Sequence, residues 1–170
     1  MVRLCEDAVR EVGGGPFVTV VEEILANLGI RLPAPAAPVA SYIPVRVSGD
    51  LAFVSGQIPM EDGKLLSSGK LGAEVSIEQG QEAARRCALQ ALAVLRQELG
   101  SLDRVKGIVK VDVFVASAPG FGDQPKVANG ASDLLVEIFG EDGKHARAAV
   151  GVAELPLGAS VEVALIARVA

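Results

Sequence analysis

The amino-acid sequence predicts an α+β fold, in which two helices pack on one face of a mixed β-sheet and a helical extension precedes them. Two segments carry apolar residues at helical spacing, and five other runs have the composition of strands. Their order is β-β-α-β-α-β-β, without an internal repeat. Two helices on one face of one sheet bury both sets of apolar residues. With 170 residues the chain is long enough for one domain with a core.

Residues 1–38 are predicted to be an N-terminal extension, and residues 39–170 the main domain. Three glycines and a proline at 13–16 interrupt the chain, and the apolar residues of 17–28 recur at helical spacing, which predicts one helix there. Residues 32–38 contain three prolines, each of which lacks an N–H donor and restricts the residue before it. This segment is therefore predicted to be an extended connector.

The main domain begins with two predicted strands, at residues 42–47 and 51–56, which are separated by the hairpin signal Ser-Gly-Asp. The clearest helix of the sequence comes next along the chain. It starts with the capping box formed by Ser76 and Gln79, and Gly100 marks its end.

The second half of the main domain contains three more strands and one more helix. Residues 105–115 alternate valine with polar residues, which predicts a strand with one buried face. Apolar residues at helical spacing between 127 and 138 predict a helix that ends before Gly140. Residues 146–153 and 160–170 are predicted to be the last two strands.

The composition excludes several classes of protein. The net charge is −5, and Lys and Arg form no cluster with aromatic residues, so nucleic acid is not an expected partner. Cys5 and Cys87 lie far apart and there is one histidine, so neither a disulfide framework nor a zinc site is expected. Residues 1–12 lack an apolar signal segment, and no stretch approaches the roughly 20 apolar residues that span a bilayer. We therefore expect a cytoplasmic protein without membrane contact.

Arg147 and Glu162 are the charged residues of the last two predicted strands that are best placed to form a site. If these strands pair as a hairpin, the two side chains lie opposite one another on the sheet face that the helices leave open. A cross-strand ion pair exposed to solvent is the simpler interpretation. Small apolar neighbours at Ala149, Gly151 and Ala164 instead favour a face that another subunit covers.

Two segments of the main domain resemble the signature stretches of a known family. Residues 53–59 read FVSGQIP, and residues 146–156 read ARAAVGVAELP, followed by VEV at 161–163. In this order and at this separation they closely resemble the two motifs of the RidA/YjgF family. The similarity runs from about Tyr42 to the C-terminus.

The resemblance implies a chorismate-mutase-like fold, a homotrimer, and pockets at the subunit interfaces. Well-studied members of the family hydrolyse reactive imines and enamines of amino acids to 2-oxoacids and ammonium, without a metal or organic cofactor. Arg147 matches the arginine that binds the substrate carboxylate, and the planar guanidinium suits that role. Glu162 matches the glutamate that positions or activates the attacking water.

The resemblance also implies a set of substrate-binding positions. Tyr42 matches the pocket tyrosine, Asn129 matches a helix asparagine, and backbone groups near Gly56 and Ala149 complete the pocket. Structural alternatives stay open for two of these residues: Tyr42 as the anchor of a strand edge, and Asn129 as a solvated helix residue. His145, the one histidine, is expected at the surface near the start of a strand.

The chain departs from the family pattern in two ways, and these departures leave rival functions open. Many short deaminases carry a second acidic residue two positions after the glutamate, where this chain has Ala164, and they lack the extension before Tyr42. A trimer that binds carboxylate metabolites without converting them is therefore the main alternative to a deaminase. An endoribonuclease or translation inhibitor is disfavoured by the acidic charge balance.

Overall fold

A computed structural model describes residues 20–35 and 41–170 of the chain. The predictions for residues 1–12 and 13–16, and the end of the predicted connector, lie outside these ranges. Within them the structure is a mixed sheet covered on one face by helices, as the sequence predicts. The helices are α1 (Val20–Asn27), α2 (Ile77–Leu99) and α3 (Gln124–Phe139). The strands are β1 (Val45–Ser48), β2 (Leu51–Gln57), β3 (Met60–Glu61), β4 (Lys64–Leu65), β5 (Val105–Ala116), β6 (Ala146–Val152) and β7 (Val161–Val169).

The main sheet has the strand order β1-β2-β7-β5-β6, and β3 and β4 form a separate small hairpin. All neighbours in the main sheet are antiparallel except β5 and β6, which are parallel. The expected hairpin between β6 and β7 is therefore wrong, because β5 lies between them. The reason is α3, which connects β5 to β6. Because the connection crosses over through this helix, β6 runs in the same direction as β5 and pairs with one of its edges. The other edge of β5 is then free to pair with β7.

One face of the sheet packs against α2 and α3 to form the core. The centre of this face consists of valines of β5 and β7 that are completely buried. Alanines and Cys87 on the facing side of α2 are also completely buried, and their small size lets the helix approach the sheet. Gly130 allows α3 to approach α2 equally closely, because a Cβ at this position would collide with the main-chain carbonyl of Gln81.

The ends of α2 are those that the sequence predicts. The Ser76 side chain accepts a hydrogen bond from the Gln79 amide, and the Gln79 side chain accepts one from the Ser76 amide, which completes the capping box. Gly100 closes the helix with φ of 80°, a left-handed conformation that glycine adopts at little cost. In the described ranges, no helix has the length and apolar character that crossing a membrane requires.

Helix α1 packs on the main domain through apolar and polar contacts. Val21 and Leu25 belong to the common core. The carboxylate of Asp103, in the turn that follows α2, accepts hydrogen bonds from the Val20 amide at 3.1 Å and the Val21 amide at 2.9 Å. These are the first amides of α1, which have no partner inside the helix. Arg96 at the end of α2 adds an ion pair with Glu22, with a nitrogen–oxygen distance of 3.2 Å.

Replacement of Asp103 tests the attachment of α1. We expect Asp103→Ala to lower the free energy of unfolding by about 1 kcal/mol, because two helix N-terminal amides lose their acceptor. Asp103→Asn retains one acceptor oxygen and should lose less. Urea unfolding of both variants beside the wild type measures the difference. An Asp103→Ala curve that superimposes on the wild-type curve would show that this carboxylate does not hold the helix.

Candidate functional site

Arg147 lies near the start of β6, at the free edge of the sheet, and α3 holds its side chain. Nη1 donates to Asn129 Oδ1 at 2.9 Å and to Ser132 Oγ at 3.1 Å, and Nη2 donates to the Pro125 carbonyl at 3.4 Å. Pro125, Asn129 and Ser132 follow the spacing i, i+4, i+7, which places them on one face of the helix. The predicted residues Arg147 and Asn129 are therefore in direct contact.

The three hydrogen bonds leave one side of the guanidinium unoccupied. Arginine has five N–H donors in a planar fork, and α3 engages three of them. Among the described residues, none accepts a hydrogen bond from Nε. The Nε–H and the Nη2–H beside it point in the same direction, and the side chain is exposed to solvent. This pair of donors matches the two oxygens of a carboxylate.

The backbone of β6 adds further donors and acceptors at the same edge. The Val152 carbonyl accepts a hydrogen bond from the Ser117 amide, just beyond β5, so the backbone groups of Val152 face β5. Because successive residues of a strand direct these groups to opposite sides, the backbone groups of Arg147, Ala149 and Gly151 face away from the sheet. The predicted contribution of Ala149 through its backbone is consistent with this orientation.

Ser132 and His145 extend the hydrogen bonds around Arg147. His145 Nε2 lies 3.0 Å from Ser132 Oγ, and His145 Nδ1 lies 2.6 Å from the Gly143 carbonyl oxygen. His145 is half-buried, so it is not merely a surface residue. Ser132 was not among the predicted site residues, although its position three residues after Asn129 on a predicted helix places the two on the same face.

Glu162 occupies the other face of the sheet, which no described helix covers. Its carboxylate lies against Gly56 on the neighbouring strand β2, where a Cβ would collide with Glu162 Oε1. Gly56 and Glu162 are thus brought together by the fold. Burial raises the pKa of the Glu162 carboxyl above its ordinary value. Within the described ranges no side chain or amide pairs with this half-buried carboxylate.

The expectation that Arg147 and Glu162 face each other on the open side of the sheet is wrong. Val111 of β5 is in register with Arg147 on one side and with Leu165 on the other, so Arg147 lies on the face covered by the helices. Phe114 is in register with Glu162, which lies on the opposite face. The inserted strand β5 is the physical reason, because it separates β6 from β7 and sets their registers independently.

Tyr42 lies at the far edge of the sheet from Arg147. It precedes β1 and is 49% exposed. Four strand spacings, about 19 Å, separate β1 from β6. Within one chain the predicted residues therefore form two groups, one around Arg147 and one around Glu162, with the tyrosine remote from the arginine.

Asp112 places a second acidic residue on the open face of the sheet. Its register partner is Ala164, where the family resemblance led us to expect an acid. Lys110 of the same strand pairs with Asp112 at 2.9 Å. Residues 105–115 were predicted to form a strand with its polar residues on the face away from the core, but the position of Asp112 beside Ala164 depends on strand pairing and was not predicted.

The described residues offer no metal site. Nowhere in residues 20–35 and 41–170 do three or more His, Cys, Asp or Glu side chains come together in a way that could hold a metal ion. Cys87 is completely buried, and this burial, together with the charge of Glu162, raises the pKa of its thiol well above the ordinary value. A thiol in that environment is inert as a nucleophile.

Comparison with known proteins covers most of the chain. The family model described as "YjgF/chorismate_mutase-like, putative endoribonuclease" matches residues 22–169. Protein TCP17 of Trypanosoma cruzi is 54% identical over 140 residues, which are 82% of this chain and 88% of TCP17.

Two solved structures are similar over the main domain and beyond it. Protein Atu1372 of Agrobacterium tumefaciens, whose function is unknown, has 44% identity and a TM-score of 0.82, covering 89% of this chain and 94% of its own. A putative endoribonuclease of Shewanella oneidensis has 37% identity and a TM-score of 0.85, covering 89% of this chain and 100% of its own. Residues 42–170 alone are too few for such coverage, so the similarity extends into the segment before Tyr42.

The pH dependence of stability tests the environment of Glu162. Its raised folded pKa means that the native state binds more protons than the unfolded state between the ordinary value of 4.5 and the folded value. Wild-type stability should therefore fall, relative to Glu162→Gln, as the pH rises through this interval, and the difference should be constant above it.

Urea unfolding of both proteins at pH values from about 4 to 8 measures this difference. A difference that changes in the opposite direction would contradict burial as the dominant influence, and would indicate a cation beside the carboxylate.

Proposed function

Because the chain belongs to the YjgF/chorismate mutase-like family, the RidA/YjgF family that its motifs resemble, we propose that it is a hydrolytic deaminase of small 2-imino and enamine carboxylic acids. Its products are 2-oxoacids and ammonium. The observation that carries this proposal is the unoccupied pair of N–H donors on Arg147, at an exposed sheet edge and oriented by α3. The reaction type itself rests on the family resemblance.

Arg147 binds the substrate carboxylate in the proposed complex. The free Nε–H and Nη2–H donate to its two oxygens, and such charge-assisted pairs are about twice as strong as neutral hydrogen bonds. The outward-facing backbone groups of Ala149 and Gly151 lie farther along the same strand and are available to the rest of a small substrate. Lysine would supply one compact charge in place of the planar pair.

Glu162 acts on the water in the proposed reaction. The oxygen of water forms a bond to the imine carbon, and the water gives up one proton to the Glu162 carboxylate. That proton then passes to the nitrogen, and the C=N double bond becomes a single bond. The new hydroxyl group next gives up its proton and forms the C=O bond of the 2-oxoacid as the C–N bond breaks, and the departing nitrogen takes up protons from the hydroxyl group and from solvent to leave as ammonium. The raised pKa makes this carboxylate a better proton acceptor than an ordinary glutamate, which suits a group that accepts and returns a proton. The hydrolysis changes no oxidation state and needs no redox cofactor.

The active site is proposed to form between subunits of a homotrimer. Within one chain Arg147 and Glu162 point from opposite faces of the sheet, so they do not act on one small substrate together. The open face carries exposed apolar side chains, including Phe53 at 42% and Val150 at 44% exposure. Tyr42 precedes the edge strand β1, and Ala149 belongs to the edge strand β6, so contact between chains is the arrangement that supports a complete site.

A carboxylate-binding trimer without turnover is the second candidate function. Ala164 in place of an acid favours it, as does the separation of Glu162 from Arg147 within the chain. An endoribonuclease, the activity for which the family model and the Shewanella protein are named, is poorly supported by a net charge of −5.

Ammonia release from an imine generated in the cuvette by an amino-acid oxidase tests the deaminase proposal. We expect the wild type to accelerate it, and Arg147→Ala to lower kcat/KM by about 30-fold to 1,000-fold, because the carboxylate loses its charged partner. Arg85→Ala removes an arginine that pairs with Glu137 and serves as the matched control, with unchanged activity. Absence of acceleration by the wild type rejects the deaminase. Binding of 2-oxobutyrate in calorimetry would then support the second candidate.

The mass in solution tests the interface. Light scattering at micromolar concentration should give three times the 17.5 kDa of one chain. Phe53→Glu places a charge on the open sheet face and should release monomers. Val136→Glu adds the same charge at an exposed position of α3 and should remain trimeric. A monomeric wild type would contradict both the trimer and a site between subunits.

A further inference from the structure

We propose that Ser132 and His145 are positioning residues, which hold the guanidinium of Arg147 in the orientation that binds a carboxylate. The inference rests on the proposed function for the identity of the ligand, a small 2-imino or 2-oxo acid. It goes further in assigning roles to two side chains that neither the motifs nor the composition indicate. His145 acts only through Ser132, and Ser132 acts directly on Arg147.

The hydrogen-bond partners of His145 determine which of its ring nitrogens carries the proton. The Gly143 carbonyl, 2.6 Å from Nδ1, only accepts hydrogen bonds, so Nδ1 must be the donor. In the neutral ring Nε2 is then an acceptor, and the Ser132 hydroxyl, at 3.0 Å, donates to it. The lone pairs of Ser132 Oγ are thereby directed to Arg147 Nη1, at 3.1 Å.

This chain of hydrogen bonds fixes the plane of the guanidinium. Asn129 engages one hydrogen of Nη1, and Ser132 engages the second. The Pro125 carbonyl on Nη2 helps to orient the planar group, and the two acceptors on Nη1 hold both hydrogens of that nitrogen. Without Ser132, Nη1 keeps a single acceptor and the guanidinium is held less firmly. A serine hydroxyl rotates unless a partner holds it, and His145 supplies that partner. The free pair of donors consequently points in one direction before a ligand arrives.

The backbone under His145 is itself firmly placed. Gly143 is buried, and a Cβ there would collide with the Leu135 carbonyl of α3. The turn at Gly140–Gly143 therefore lies directly against the helix that carries Asn129 and Ser132. Helix α3 thus positions both hydrogen-bond partners of His145, the Gly143 carbonyl and the Ser132 hydroxyl.

Calorimetric titration with 2-oxobutyrate, together with steady-state kinetics, tests the proposal. Ser132→Ala should raise Kd and KM about two- to tenfold, the effect of one lost hydrogen bond, with little change in kcat. Ser132→Thr keeps the hydroxyl and should bind as the wild type does. His145→Ala should raise Kd, and the double variant Ser132→Ala/His145→Ala should bind no more weakly than Ser132→Ala alone.

A substitution elsewhere on α3 serves as the control. Glu137→Gln alters an exposed residue of α3 that pairs with Arg85 and should leave Kd unchanged. Additive effects of the two alanine substitutions, or wild-type Kd in Ser132→Ala, would overturn the proposal. A wild type that binds 2-oxobutyrate without hydrolysing imines rejects the deaminase alone.

If the wild type binds no carboxylate, crystal structures of the wild type and Ser132→Ala decide the matter. Loss of the contact between Arg147 and Asn129 in the variant supports positioning, and an unmoved guanidinium overturns it.

Discussion

The parallel pairing of β5 with β6 determines where the functional groups of this protein lie. Helix α3 connects these strands, so β6 returns parallel to β5, and the face of the helix that covers this edge meets Arg147. Strand β7 then pairs with the other edge of β5, where its register places Glu162 on the opposite face. One crossover connection thus separates Arg147, the proposed carboxylate-binding residue, from Glu162, the proposed acid–base residue. A site that uses both residues therefore requires contact between chains.

Patterns within a single element were sufficient to predict the layers of this fold. The capping box at Ser76, the left-handed glycine at Gly100 and the alternating valines of β5 each depend on residues close in sequence, and the structure has all three. The partner of β6 could not be predicted in this way, because strand pairing depends on the direction of a helical connection and on competition for one edge. Motif similarity identified Arg147 and Glu162 as candidates without indicating that they lie on different faces.

Two glycines allow close contacts that position residues of the candidate site. Gly56 leaves room for the carboxylate of Glu162 on the open face, and the carboxyl is held there at the cost of losing part of its hydration. Gly130 lets α3 approach α2, which fixes the helix from which Asn129 and Ser132 extend. Neither glycine has chemistry of its own. Each was visible in the sequence, but its role depends on a neighbour from another element.

The attachment of α1 has a consequence for the order in which the protein forms during synthesis. The carboxylate that receives its first amides belongs to Asp103, which is 82 residues after Val21 in the chain. A short isolated helix is marginal in water, so α1 gains its anchor only after α2 and the turn behind it have left the ribosome. Among the described helices, α1 is thus the first to be synthesised and one of the last to be anchored. Its amides should exchange with solvent hydrogen as a cooperative unit separate from the central sheet.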